Sequence, residues 1–299
     1  MIRWLIAAAL VLAAAAFWLS RPQTLAAADL PDHAPDLANG ERVFHAAGCA
    51  SCHATVSGDG EAGDGLGGGQ AFETAYGVFR APNISPHPEA GIGAWSALDF
   101  VNAVQRGVSP GGHHYYPAFP YTAYAHLQLT DVLDLKAWLD TLPAVAQVPA
   151  GNELSFPWNL RRGVGFWKLR YLDTTRLDAA VGGDPVARGR YLVEAAGHCG
   201  ECHTPRDGLG GLRRDAWLAG APALEGEGRV PNITPHEEGI GAWSEKDIAY
   251  YLESGFTPEF DIVGGAMVSV QENFARLDAA DREAVAAYLK TVPPHPDTR

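Results

Sequence analysis

Apolar positions follow two patterns along this chain. The first is continuous: the sixteen residues from Trp4 to Leu19 carry no charge, after Met1-Ile2-Arg3 and before Arg21-Pro22. A short basic start and an apolar stretch predict an export signal, with a cleavage site at Ala26-Ala27-Ala28. Retention as an anchor is the alternative. The run would span ~24 Å as a helix, just short of a ~30 Å hydrocarbon core. Trp4 and Trp18 near its ends suit membrane interfaces.

The second pattern has the helical period. Thr130 opens a predicted helix with Val132, Leu133, Leu135, Trp138 and Leu139 on one side, and a second begins at Asp278 with Ala284, Val285, Tyr288 and Leu289. Both end at prolines, Pro143 and Pro293. Ser96–Asp99 and Ser244–Asp247 have the form of capping boxes, and Asp36 and Asp184 are predicted to cap helices that run up to two cysteine pairs. Gly40 and Gly189 interrupt those first helices, where a close helix–helix approach would account for them.

These paired features reflect a duplication. Cys49-Ala50-Ser51-Cys52-His53 recurs as Cys199-Gly200-Glu201-Cys202-His203. Pro82-Asn83-Ile84-Ser85-Pro86-His87 recurs as Pro231-Asn232-Ile233-Thr234-Pro235-His236, and Gly91-Ile92-Gly93-Ala94-Trp95-Ser96 recurs unchanged at 239–244. Blocks in one order at nearly one offset mark two copies of a domain, each large enough for a core. The reading is all-α: a signal or anchor at 1–28, domains at 29–142 and 184–299, and an aromatic-rich connector at 143–183. The connector contains Phe156-Pro157-Trp158, Arg161-Arg162, Phe166-Trp167-Lys168 and Arg170-Tyr171. It reads as clamped between the domains, or as a docking patch for a partner or a membrane.

Composition narrows the chemistry. The formal charge is −13, and −15 without residues 1–28, which carry Arg3 and Arg21 and no acid. That acidity excludes nucleic acid as a natural partner. The four cysteines form two tight pairs, which rules out a disulfide-dense scaffold. Cys-x-x-Cys-His is the attachment signature of c-type haem, with thioethers from both thiols and axial ligation by the histidine. Two covalently attached haem c groups are expected, one on Cys49, Cys52 and His53, the other on Cys199, Cys202 and His203. A thioredoxin-like site would want a βαβ pattern, and a Cys₄ zinc site would want both pairs on one domain. Arg80, Arg229, Trp95 and Trp243 are candidates for haem propionates. The Pro82 and Pro231 carbonyls are candidates to orient the ligand histidines. Residues 58–65 read as a glycine-rich loop.

With Tyr116-Pro117-Ala118-Phe119-Pro120-Tyr121 added to these blocks, residues 36–292 resemble the tandem diheme cytochromes c related to the cytochrome subunits of membrane-bound alcohol and gluconate dehydrogenases. Those subunits carry three haems, and this chain carries two attachment sites. The resemblance implies class I-like cytochrome c domains and electron transfer. It places a ligand loop around Val263–Met267, and Met267 is the one methionine besides Met1. Met267 is therefore expected as the sixth ligand of haem 2. In the first copy the resemblance puts a methionine where Phe119 stands, and phenylalanine cannot bind iron. His114, or alternatively His113, is expected at haem 1, with an open iron as the other arrangement. His87 is set aside because its counterpart His236 lies in the copy that does not need it.

The expected function is electron transfer outside the cytoplasm, in the periplasm or held at the outer face of the inner membrane. Electrons would come from an exported dehydrogenase or quinol-linked donor and pass to another cytochrome or an oxidase. No catalytic residue is legible. The rival is chemistry at an open haem 1, as a diheme peroxidase-like enzyme or a gas sensor.

Overall fold

The computed structural model describes every residue except 58, 59, 62, 225–227 and 299, so part of the glycine-rich 58–65 stretch lies outside the described residues. Helix α1 (Ile2–Leu19) has none of its residues buried and meets the connector at its C-terminal end. In the first domain Asp36 accepts from the Ala38 and Asn39 amides and starts α2 (Leu37–Ala46). The attachment turn α3 (Cys49–His53) follows, then α4 (Ala97–Arg106), α5 (Tyr121–Tyr124) and α6 (Leu129–Leu139). The connector contains α7 (Gly163–Tyr171). The second domain repeats the plan with α8 (Pro185–Tyr191), which continues as a π-helical turn, α9 (Gly200–His203), α10 (Glu245–Ser254), α11 (Met267–Phe274) and α12 (Ala279–Leu289).

The capping boxes form at Ser96–Asp99 and Ser244–Asp247, and left-handed glycines, Gly107 and Gly255, close those helices. First and last helices of each domain cross in contact. A Cβ on Gly40 would lie 2.2 Å from the Asp134 carbonyl oxygen, and one on Gly189 would lie 1.9 Å from that of Ala284. Only glycine admits this approach. A buried Arg188–Asp281 ion pair fixes the α8–α12 crossing from two nitrogens, at 2.7 and 2.9 Å.

The domains are mostly helical, with short strands that the all-α expectation leaves out. Strands β1 (Ala71–Thr74), β2 (Gly77–Arg80) and β3 (Glu153–Leu154) form an antiparallel sheet, and β4 (Ala221–Pro222) pairs with β5 (Arg229–Val230). These strands are two to four residues long, too short to impose a period on the sequence. Chain that follows residue 142 packs back on the first domain. Asn83 donates to the Val145 and Gln147 carbonyls at 2.7 and 2.8 Å, and β3 completes the sheet. The second domain matches it, with Asn232 donating to His295 at 2.7 Å. Each Pro-Asn block thus holds a strap of chain that follows the last helix.

The two copies share one hydrophobic core. Val43, Phe44, Leu127 and Leu135 belong to the same buried cluster as Tyr191, Leu192, Phe274 and Val285. The connector joins both sides. Lys168 donates to the Arg106 and Gly107 carbonyls at 2.7 Å each, closing the C-terminal end of α4. Trp167 donates to the Leu209 carbonyl at 3.0 Å, and Tyr171 to Asp207 at 2.7 Å.

Candidate functional site

Each cysteine pair lies on a single helical turn, which brings both thiols and the following histidine together. His53 Nδ1 donates to the Pro82 carbonyl at 2.8 Å, and His203 Nδ1 to that of Pro231 at 2.7 Å. A carbonyl only accepts, so each Nδ1 carries the proton and the lone pair is on Nε2. Burial holds both imidazoles below their ordinary pKa, against the opposing pull of the proline carbonyls. They are therefore neutral, the form that binds a metal. Burial also pushes Cys49 and Cys199 up to about 12, so these thiols are neutral until they are attached. Two thiols and a pre-oriented Nε2 on one turn, present twice, form a donor set that fits haem c.

At the positions where a sixth ligand is expected the two copies differ. Phe119 and Met267 each stand twelve residues after the glycine that closes the preceding helix, Gly107 or Gly255. Met267 is partly buried against the core at the start of α11. Phe119 also packs on the core, with the rings of Tyr115, Tyr121 and Tyr124 around it at 5.8–6.3 Å. An aromatic cluster thus surrounds the position that corresponds to Met267.

The structure gives His114 a partner other than the one expected of it. Its Nε2 donates to the Ser20 carbonyl at 2.9 Å, and the side chain is buried among Lys168, Arg161 and Arg162. Burial, with those three cations, lowers its pKa and keeps it neutral. The matching bridges Val108–His114 and Phe256–Ile262 show the reason: His114 is the counterpart of Ile262, not of Met267. His113 is exposed in the same turn. Arg80 and Arg229 bind the straps, at Glu153 (2.7 Å) and Asp297 (3.0 Å).

A match between copies links the two sites. Ser51 and Glu201 hold the same position within their Cys-x-x-Cys pairs. Asn273 on α11 donates to Ser51 at 3.0 Å, and Thr122 on α5 donates to Glu201 at 2.6 Å. Each attachment turn therefore rests on the helix that follows the other copy's Phe119 or Met267 position. Tyr124 adds a second link, donating to the Ala47 carbonyl at 3.1 Å while its ring meets His198 at 5.5 Å. The repeated blocks did not reveal this reciprocal seam, because Ser and Glu differ chemically and Thr122 and Asn273 fall in neither block.

A cytochrome c family model matches residues 37–143 and again residues 186–293. The chain belongs to the cytochrome c family. It is 48% identical over 288 residues to a diheme cytochrome c-type protein of Cereibacter sphaeroides, covering 96% of each chain. It is 36% identical to the fructose dehydrogenase cytochrome subunit of Gluconobacter japonicus, over 87% of this chain and 53% of that one. It is 31% identical to the alcohol dehydrogenase (quinone) cytochrome c subunit of Gluconobacter oxydans, over 98% and 61%. The chain thus spans about half to three-fifths of those two subunits. This tandem cytochrome c carries two covalently bound haem c groups.

Proposed function

We propose that this cytochrome passes electrons from an exported dehydrogenase or a quinol-linked donor, through haem 1 and then haem 2, to another cytochrome or an oxidase in the periplasm. The two haems supply one-electron chemistry; the chain orients them and sets their order. The observation that carries the proposal is the reciprocal seam, in which Thr122–Glu201 and Asn273–Ser51 set each attachment turn against the other domain. The fructose and alcohol dehydrogenase subunits support redox partners of this kind.

The order follows from the ligands we assign. Haem 2 has His203 and Met267, and a thioether raises the potential. Haem 1 has His53, and no thioether is within the chain's means there. With His114 donating to Ser20, Phe119 would stand where a ligand is needed, and we assign haem 1 no side-chain ligand besides His53. Electrons then enter at the first haem and leave from the second. EPR and near-infrared magnetic circular dichroism of the ferric protein test the assignment. The expected result is one His/Met low-spin centre and one high-spin centre, with the high-spin signal unchanged in His114→Ala. Two low-spin centres, one lost in His114→Ala, would instead make His114 the ligand.

Phe119 also favours a second reading, chemistry or gas binding at an open haem 1. Turnover of peroxide, or carbon monoxide binding at physiological rates, distinguishes it from pure electron transfer.

A further inference from the structure

We propose that α1 stays on the mature chain and that the connector helix α7 lies beside it against an anionic lipid surface. The first observation is Ser20. It follows a helix with no buried residue, yet is itself 1% exposed. Its carbonyl accepts from His114, and its hydroxyl accepts from Arg162 Nε at 3.0 Å while donating to the Ala16 carbonyl at 2.7 Å. Arg162 also donates to the Phe17 carbonyl and stacks on the Phe17 ring at 4.2 Å. Arg21 donates to the Trp18 carbonyl at 3.3 Å and covers the Trp18 ring at 4.0 Å. The carbonyls at the end of α1, which a bilayer interface would leave costly if unpaired, are thus met by groups of the chain itself.

The attachment continues down the chain. Leu25 and Asn102 exchange two hydrogen bonds, at 2.7 and 3.3 Å. Leu25 and Leu30 pack on the core. A Cβ on Gly165 would lie 2.2 Å from the Ser20 carbonyl oxygen, so α7 is fitted to this segment at backbone contact. Cleavage after Ala28 would remove Ser20 and Leu25. It would leave His114, Arg162 and Asn102 without the partners around which they are built.

The second observation is the inverted polarity of α7. Its inner face carries Val164, Gly165 and the buried Lys168. Its outer face carries Phe166 and Leu169, which are half exposed, and Phe156 and Leu160 nearby are more exposed still. Besides the inward Lys168, residues 155–172 contain Arg161, Arg162 and Arg170 and no acid, in a chain of charge −13. Exposed aromatic and aliphatic groups among arginines, continuous with an apolar helix of eighteen residues, match the chemistry of an anionic bilayer interface. An acidic protein partner would match the charge alone. It would leave the continuity with α1 unexplained.

The test uses the full-length holo-cytochrome. Its N-terminus is sequenced from the membrane fraction, and the protein is placed in nanodiscs of phosphatidylcholine with or without phosphatidylglycerol. Hydrogen exchange is read over 155–172. The expected result is a chain that keeps residues 2–20 and exchanges more slowly at 160–170 when phosphatidylglycerol is present. The Phe166→Glu/Leu169→Glu variant should lose that protection while keeping both haem spectra and remaining in the disc. A mature chain starting near residue 29 overturns the proposal. So does exchange that is indifferent to phosphatidylglycerol, or protection that appears only when a dehydrogenase is added.

Discussion

Removing the Asn83 amide should weaken the first haem site and spare the second. In Asn83→Ala the buried Ser85 amide loses its acceptor, Asn83 Oδ1 at 2.8 Å. The Val145 and Gln147 carbonyls lose their shared donor. A stranded buried N–H costs ~1–3 kcal/mol, and each of the two lost neutral bonds ~0.5–1.5 kcal/mol, so the unfolding free energy should fall by about 2–6 kcal/mol. Pro82, one residue earlier, accepts the bond that orients His53, so loosening the loop should also disturb that imidazole. Guanidinium unfolding gives the first quantity. Visible magnetic circular dichroism, which separates the two haems, gives the second. Asn232→Ala should do the same at haem 2 through Thr234 and His295. A loss below about 1 kcal/mol, or equal spectral change at both haems in either variant, would refute the strap's role.

Three further outcomes are expected. Cys199→Ser/Cys202→Ser should lose one covalent haem by mass and retain the other. Electron transfer to a basic cytochrome should slow as salt rises, because attraction to a chain of charge −13 is screened as the Debye length falls from ~10 Å at 0.1 M to ~3 Å at 1 M; a flat rate would confine the acidity to solubility. Burial lowers Lys168 to about 7, so above that pH the unfolded chain binds a proton that the folded chain does not. Stability should therefore rise with pH from about 7 toward the ordinary lysine range of ~10, and Lys168→Met should flatten that rise in urea titrations.

The features that could be read from the sequence are those written locally. The attachment turns, the duplication, both capping boxes and the close approach at Gly40 and Gly189 each show within a few residues or as a repeat. What escaped depends on distance along the chain. His114 is one of two adjacent histidines in the expected ligand loop, and only its contact with Ser20, ninety-four residues away, shows where it points. The two sheets rest on strands too short for alternation, and the third strand of the first comes from beyond the domain's last helix. The role of Asn83 depends on the strap, whose sequence has no fixed pattern. Counting from the closing glycines pairs Phe119 with Met267 once the helix ends are known, a correspondence that the resemblance alone implies.

Ser20 also has a consequence for how this cytochrome meets its partners. A flexible linker between an anchor and a redox domain would let the domain swing between donor and acceptor. Here the apolar helix ends at Leu19 and the next residue is already inside the domain. With α1 in a bilayer, the domain has no slack in height and little freedom to tilt. Its encounters become a search in two dimensions among partners whose own docking faces lie at a matching level above the lipid. Inserting a glycine–serine segment after Ser20 would restore a third dimension, trading a fixed approach for reach.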